Sequence, residues 1–178
     1  MATSLAQSLA AGDPEAFAAL YDRLAPRLVN TARTMTGSIA DAEDVVHDLF
    51  VELARGRGRL ATVADLDAYV FTMLRHAVGK RRRRSATDRR AVDRIATERH
   101  AAGRDFVPPD PGSDDDLAAA VASLPGEQRE VIALKIDGGL TFAEIAAVTG
   151  TSPNTAASRY RYALEKLRTL LAGREARR

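Results

Sequence analysis

Apolar residues recur every three or four positions along most of the chain, which predicts an all-helical fold. The first helix is predicted to begin at Asp13-Pro14, because an acidic cap followed by proline favours a helix start. Its apolar stripe consists of Phe17, Leu20, Tyr21, Leu24 and Leu28. Pro26 is expected to bend or divide this segment, so that a second helix runs to about Met35. Further stripes predict a helix from Ser38 to about Leu53 and another from about Leu66 into the basic run 80–84.

The periodicity weakens after residue 84. Residues 85–112 begin as a charged stretch and end in a segment rich in proline and glycine, which is typical of a linker. Helical patterns resume with the acidic residues 114–116, which suit a helix N-terminus. The sequence therefore predicts two small helical domains, 10–84 and 113–173, that are joined by a flexible linker over 85–112.

The strongest local pattern lies in the second domain. Thr141 and Glu144 have the spacing of a capping box, and Gly150 supplies a left-handed helix stop. Ser152-Pro153 then begins another helix at once. A short helix, a tight turn and a longer basic helix are typical of a helix-turn-helix, which reads the major groove of DNA. An ordinary pair of antiparallel helices is the alternative. The residues near the start of the second helix that could reach base edges are Asn154, Thr155, Ser158, Arg159 and Arg161.

The amino-acid composition limits the classes of function that this protein can have. The 178 residues carry a net charge of only +2, but arginines concentrate at 75–104 and 159–178, and acids at 41–52. There is no cysteine, and the three histidines (His47, His76, His100) show no metal-ligand spacing, so no metal site and no cofactor are expected. No apolar run approaches about 20 residues, and the N-terminus lacks the features of a signal peptide. We therefore expect a cytoplasmic protein without membrane insertion.

Catalysis finds no support in the sequence. A recombinase with a helix-turn-helix would need a nucleophile within an α/β domain, whereas Ser4 and Ser8 precede a helical pattern. No glycine-rich phosphate loop is present. A stand-alone helix-turn-helix repressor or activator is the other alternative, and it would bind duplex DNA without a polymerase.

Four segments in order carry a family resemblance. They are Gly12-Asp-Pro-Glu-Ala-Phe, Asp41-Ala-Glu-Asp-Val-Val-His-Asp-Leu-Phe, Leu124-Pro-Gly-Glu-Gln-Arg-Glu-Val and Phe142-Ala-Glu-Ile-Ala. Together they resemble the bacterial extracytoplasmic-function (ECF) RNA polymerase sigma factors, which contain sigma regions 2 and 4 joined by a linker. The resemblance covers about 10–84 and 117–170. It implies a factor that binds core RNA polymerase and directs promoter-specific initiation, with no chemistry of its own.

The resemblance also implies a role for each segment of the first domain. The residues that match the polymerase-binding helix are Asp41, Asp44, His47, Asp48 and Phe50. The residues that match the surface for the melted downstream promoter element are Arg57, Arg59, Leu60, Tyr69, Arg75, His76, Lys80, Arg82 and Arg83. Tyr69, His76 and Lys80 replace residues that are common in the family, which changes the expected base preference.

In the second domain, the resemblance places the helix that begins at Ser152 in the major groove of the upstream promoter element. The residues expected to face DNA are Asn154, Thr155, Ala157, Ser158, Arg159, Arg161 and Tyr162, while Tyr160, Ala163 and Leu167 fit the buried face. Ala157 stands where the family often has a basic residue. Family members are often held inactive by an anti-sigma protein, so the implied partners are core RNA polymerase, promoter DNA and an anti-sigma factor.

Overall fold

The structure, a computed structural model of the chain, describes the backbone of residues 4–96 and 113–175 and the side chains of 4–84 and 116–173. The described backbone is all-helical and contains no β-strand, as predicted. Its α-helices are α1 (Leu5–Ala11), α2 (Pro14–Thr36), α3 (Ile39–Arg55), α4 (Leu66–Ala96), α5 (Ser113–Ala122), α6 (Gly126–Ile132), α7 (Phe142–Thr149) and α8 (Pro153–Glu175). A 3₁₀ segment (Arg57–Thr62) follows α3, and a π-helical segment (Ala133–Asp137) follows α6.

Helix α2 corrects the prediction at Pro26. The helix continues through this residue for 23 residues, beginning at the Asp13 cap, whose Oδ1 accepts the Glu15 amide at 3.0 Å. A proline inside a helix costs about 3 kcal/mol. Leu24 and Leu28, on either side of Pro26, are fully buried, and burial of one leucine contributes about 1.5–3 kcal/mol. Burial of the continuous stripe therefore outweighs the missing hydrogen bond.

The start of the chain contains a helix that the apolar pattern did not predict. Ser4 caps α1 by accepting the Gln7 amide at 3.3 Å, and the Gln7 side chain accepts the Ser4 amide at 3.1 Å. The only fully buried side chain of this short helix is Leu9. Two leucines among small residues over seven positions form too short a stripe to predict a helix, although Ser4 and Gln7 have the spacing of a capping box.

The helices α3 and α4 complete the first domain. Ser38 caps α3 by accepting the Asp41 amide at 3.2 Å, and the helix ends at Arg55 before Gly56, close to the predicted span from Ser38 to about Leu53. Helix α4 runs through Ala96 and so extends into the segment predicted as a linker. Residues 97–112 of that segment lie outside the described residues.

The π-helical segment changes the path of the chain between α6 and α7. The Gly138 amide donates to the Ala133 carbonyl at 2.9 Å, five residues back, so this turn holds one residue more than an α-helical turn. A Cβ at Gly138 would lie 2.6 Å from the Leu134 carbonyl oxygen and 3.1 Å from Phe71 Cε1. Position 138 therefore requires glycine because backbone and an aromatic ring from α4 approach it closely.

The helix-turn-helix forms as the sequence predicts. Thr141 and Glu144 make both halves of the capping box on α7, and Gly150 ends this helix at φ 68°. Ser152 Oγ accepts the Thr155 amide at 3.1 Å at the start of α8. Ala163 and Leu167 are buried as predicted, and Tyr160 packs edge-on against Phe142 with ring centroids 5.6 Å apart.

The two predicted domains share one hydrophobic core. Leu134, Leu140 and Ile145 of the second domain are buried in the same cluster as Phe71 and Leu74 of α4. A second, smaller cluster joins α5, α6 and α8 through Ala120, Leu124, Ile132, Ala163 and Leu167. The structure therefore shows a closed arrangement, in which the second domain packs on α2 and α4 of the first.

Candidate nucleic-acid interface

Helix α8 presents a polar and basic face to solvent. Asn154 and Thr155 are exposed in its first turn, and Arg161 and Tyr162 are exposed two turns later. Ala157 and Ser158 are half-buried between these two groups. The exposed side chains include the amide of Asn154 and the guanidinium of Arg161, which are the donors best suited to adenine and guanine edges. No described residue of the first domain pairs with them.

Arg159 differs from its neighbours on α8. Its Nη2 lies 2.6 Å from Glu127 Oε2, and a quarter of its side chain is exposed. This ion pair ties α8 to α6 within the second domain. Arg159 therefore orients the helix as it stands, and a phosphate contact would require it to leave Glu127.

The predicted polymerase-binding residues lie along one helix, α3. Asp44, His47 and Asp48 are exposed, whereas Asp41 is half-buried. Phe50 is also half-buried, because its ring packs against Tyr21 of α2 with centroids 4.8 Å apart. Asp44 and Asp48 are four residues apart and share one face of the helix. The arrangement gives an acidic surface with an aromatic pair at one end.

Arg81 of α4 belongs to this acidic surface, which the sequence did not predict. Its Nη2 lies 3.3 Å from Asp44 Oδ2, and its Nε donates to Asp41 Oδ1 at 3.0 Å. The hydrogen bond and the charge of Asp41 raise the pKa of the half-buried Arg81 above its ordinary value. Arg81 therefore pairs with α3, whereas Lys80, Arg82 and Arg83 of the basic run are exposed.

The segment after α3 holds two of the predicted downstream-element residues in solvent. Arg57 and Arg59 are exposed on the 3₁₀ segment, where they can meet phosphates. Leu60 is different, because only 1% of it is exposed and it belongs to the core. This placement does not suit the predicted contact between Leu60 and a base. Leu60 instead anchors the segment that carries the two arginines.

The predicted downstream-element residues on α4 occupy two environments. His76, Lys80, Arg82 and Arg83 are exposed. Tyr69 is half-buried against the core, and Arg75 is engaged by the second domain, since its Nε donates to Glu130 Oε1 at 2.8 Å. The Glu130 side chain is 14% exposed, so this carboxylate lies where a phosphate would otherwise meet Arg75.

Two further polar contacts join the domains near Gly138. Arg27 of α2 donates from Nε to the Gly138 carbonyl at 3.1 Å, while its Nη1 pairs with Asp67 Oδ2 at 3.0 Å and its guanidinium stacks on Phe71. Thr34 Oγ1 donates to Asp137 Oδ2 at 2.6 Å. These contacts hold the second domain beside Arg75, whose side chain pairs with Glu130 and remains 35% exposed.

Comparison with known proteins identifies the family. The family model for sigma-70 region 2 matches residues 20–88, and the model for sigma-70 region 4 matches residues 114–167. The RNA polymerase sigma factor CarQ of Myxococcus xanthus is 31% identical over 163 residues, which cover 90% of this chain and 91% of CarQ. The chain belongs to the ECF RNA polymerase sigma factors.

Two other similarities agree with this assignment. The ECF RNA polymerase sigma factor SigL of Mycobacterium tuberculosis is 31% identical over 91% of this chain and 92% of SigL. The fold resembles the sigma factor RpoE of Bartonella quintana, solved in complex with the anti-sigma factor NepR. The TM-score is 0.71 at 24% identity, covering 88% of this chain and 96% of RpoE.

Membership in the family decides between the functions that the sequence left open. As a sigma factor, the chain binds core RNA polymerase and directs promoter-specific initiation of transcription. It is not a stand-alone repressor. Over the residues that the structure describes, no helix is both long and apolar enough to cross a membrane.

Proposed function

We propose that this sigma factor divides its work among three surfaces. The acidic face of α3 binds core polymerase, the exposed face of α8 reads the upstream promoter element, and the basic surface of Arg57, Arg59 and α4 holds the melted downstream element. The supporting observation is that these faces carry different chemistry: clustered acids on α3, and base-reading donors with basic side chains on the two DNA surfaces.

The charge of the acidic face of α3 indicates its kind of partner more directly than the charge of the other two surfaces does. Acids repel DNA, so a face bearing Asp44, Asp48 and Glu43 suits a basic protein surface. The aromatic pair Tyr21 and Phe50 adds apolar area beside these charges. Arg81 pairs with Asp41 and Asp44, which leaves Asp48 without an ion-pair partner among the described residues.

A reconstituted transcription assay with core polymerase tests the assignment. The double variant Asp44→Arg and Asp48→Arg should lose at least about tenfold in core affinity, since two attractive charges become repulsive. The matched control reverses the same number of charges at the exposed Glu15 and Glu165, outside α3, and should bind core normally. If both double variants bind core equally well, the α3 surface is not the interface.

We also propose that the protein acts in the cytoplasm, where it meets the polymerase, and that it has no enzymatic activity of its own. An anti-sigma protein is the third proposed partner, because RpoE, which shares this fold, was solved with its anti-sigma factor. Pull-down of an anti-sigma protein that blocks core binding would support this partner, and core binding that no such protein reduces would argue against it.

A further inference from the structure

A cleft between the two domains concentrates positive charge. It has a volume of about 260 Å³ and lies between α4 and the start of α6. The side chains and backbone that line it belong to Met35, Arg75, Arg82, Gly126, Glu127, Arg129 and Glu130. Three guanidinium groups therefore meet two carboxylates in a small space.

The two carboxylates are already used by other arginines. Glu130 accepts from Arg75 at 2.8 Å, and Glu127 pairs at 2.6 Å with Arg159, which lies outside the cleft. Among the described side chains, no carboxylate pairs with Arg82 or Arg129. The nearest polar partner of Arg129 is the Leu124 carbonyl, which accepts from its Nη2 at 3.3 Å.

Arg82 and Arg129 come from different domains but affect each other. Burial, together with the charge of Arg82, lowers the pKa of Arg129. Arg82 Nη1 lies against the backbone of Gly126, where a Cβ would be 3.8 Å away. Two like charges held at one cleft are unfavourable by themselves, and an anion placed between them would remove the repulsion.

We propose that this cleft binds a small phosphate-class oxyanion, held between Arg82 of the first domain and Arg129 of the second. Guanidinium groups bind phosphate oxygens through paired N–H donors, so two arginines match a phosphate or diphosphate group. The small volume of the cleft has room for one compact anion but not for a continuous DNA backbone. The ligand we propose is therefore a free phosphate compound rather than nucleic acid.

Because the cleft lies between the two domains, a bound anion should affect the domain arrangement. Each domain supplies one of the two arginines, so the anion binds the closed arrangement more tightly than an open one and stabilises it. The bound anion also occupies Arg82, a predicted DNA contact. Phosphate binding and engagement of the downstream element should therefore compete, a consequence that rests on the proposed function, whereas binding itself does not.

Calorimetric titration of the full chain with inorganic pyrophosphate tests the site. At an ionic strength matched with sodium chloride, we expect saturable binding of one anion per chain. Arg129→Gln and Arg82→Gln should each weaken binding by about tenfold or more, because each removes one charge-assisted contact. The matched control Arg84→Gln removes the same charge from an exposed position of α4 outside the cleft, and should leave binding within about twofold.

A second measurement tests domain closure without using polymerase or promoter. The chain has no cysteine, so single cysteines at the exposed Asp22 and Lys166 can carry a donor and an acceptor dye. Pyrophosphate should increase energy transfer between the two dyes when the rest of the sequence is unchanged. The same labelled protein with Arg129→Gln should show no increase. Equal weakening by Arg84→Gln, or an equal response to sodium chloride alone, would overturn the proposal. Binding of unrelated duplex DNA, but not pyrophosphate, through Arg129 would also overturn it.

Discussion

The two predicted DNA surfaces differ in what covers them. The proposed upstream-reading face of α8 exposes Asn154 and Arg161 to solvent. On α4, Glu130 of the second domain already pairs with Arg75, and neighbouring contacts hold the domains together. The closed arrangement therefore leaves the proposed upstream surface exposed, whereas it covers part of the proposed downstream surface.

The masking follows from the same chemistry as recognition. A carboxylate satisfies a guanidinium in the same way that a phosphate does, so Glu130 occupies the group of Arg75 that the proposed DNA contact would use. The contact is reinforced by apolar burial, since Phe71 and Leu134 are fully buried in the core common to both domains. Exposure of Arg75 therefore requires more than the loss of one ion pair.

The largest effect is expected from Gly138→Ala, which tests the close approach of Leu134 and Phe71 to this position. The new Cβ would meet the Leu134 carbonyl oxygen at 2.6 Å, so the variant should lose about 3 kcal/mol of unfolding free energy. Gly173→Ala is the matched control, because among the described residues no atom outside its own helical turn and chain neighbours lies within 4 Å of the new Cβ. Alanine also favours a helix over glycine by about 0.5–1 kcal/mol. Denaturant unfolding should show a lower free energy of unfolding for Gly138→Ala and a higher one for Gly173→Ala. An unchanged value for Gly138→Ala would contradict the close packing around this position.

The next effect concerns the exposed surface. Arg161→Ala should cost about 2 kcal/mol in binding to the preferred upstream sequence and relax the preference at one base position. Holoenzyme binding to a panel of single-base upstream variants measures this change. The exposed Arg168, further along α8, provides the control, and its alanine variant should keep the full preference. An unchanged preference with Arg161→Ala would remove this residue from the reading face.

Uncovering the masked surface should have a smaller effect. Glu130→Gln removes the carboxylate from Arg75, so the free sigma factor should bind single-stranded downstream-element DNA more tightly by about 1 kcal/mol, or roughly fivefold. Glu165→Gln makes the same charge change at an exposed site on α8 and should give less than about a twofold gain. Equal gains in the two variants would mean that net charge, rather than unmasking, is responsible.

The smallest effect is a pH dependence confined to the helix-turn-helix. Hydrogen bonds from Thr141 lower the pKa of Glu144, so the carboxylate form is favoured in the folded state. This stabilisation is complete above the pKa of the unfolded chain and is lost as the pH falls toward the lower folded value. Glu144→Gln should reduce stability at neutral pH by about 0.5 kcal/mol and flatten this acid dependence. If the free energy of unfolding falls equally with decreasing pH in the variant, Glu144 is not the source of the acid dependence.

Local signals in the sequence were sufficient for much of the fold. Thr141, Gly150 and Ser152 fix helix ends through contacts within three or four residues, so their roles could be predicted from spacing alone. The stripes of α2, α3 and α4 were equally clear. The continuation through Pro26 was not, because the burial that outweighs the proline comes from partners elsewhere in the chain.

The features that escaped prediction depend on residues far apart in sequence. Arg81 meets Asp41 across 40 positions, and Arg27 meets Gly138 across 111. Nothing in a basic run indicates which arginine will turn back to an acidic helix. Leu60 shows the converse case, since the resemblance places it among DNA contacts while its apolar side chain is buried in the core, and its contact with a base stays a prediction.

The π-helical segment makes this protein unusually sensitive to a change in chain length. Its turn holds one residue beyond an α-helical turn, and Gly138 closes it against Ala133. Deletion of one residue between Ala133 and Asp137 would restore α-helical geometry and rotate everything that follows by about 100°. The reading helix would then point away from its present direction, although every one of its side chains would be intact. Between Ala133 and Asp137, a substitution should therefore be tolerated more readily than a deletion.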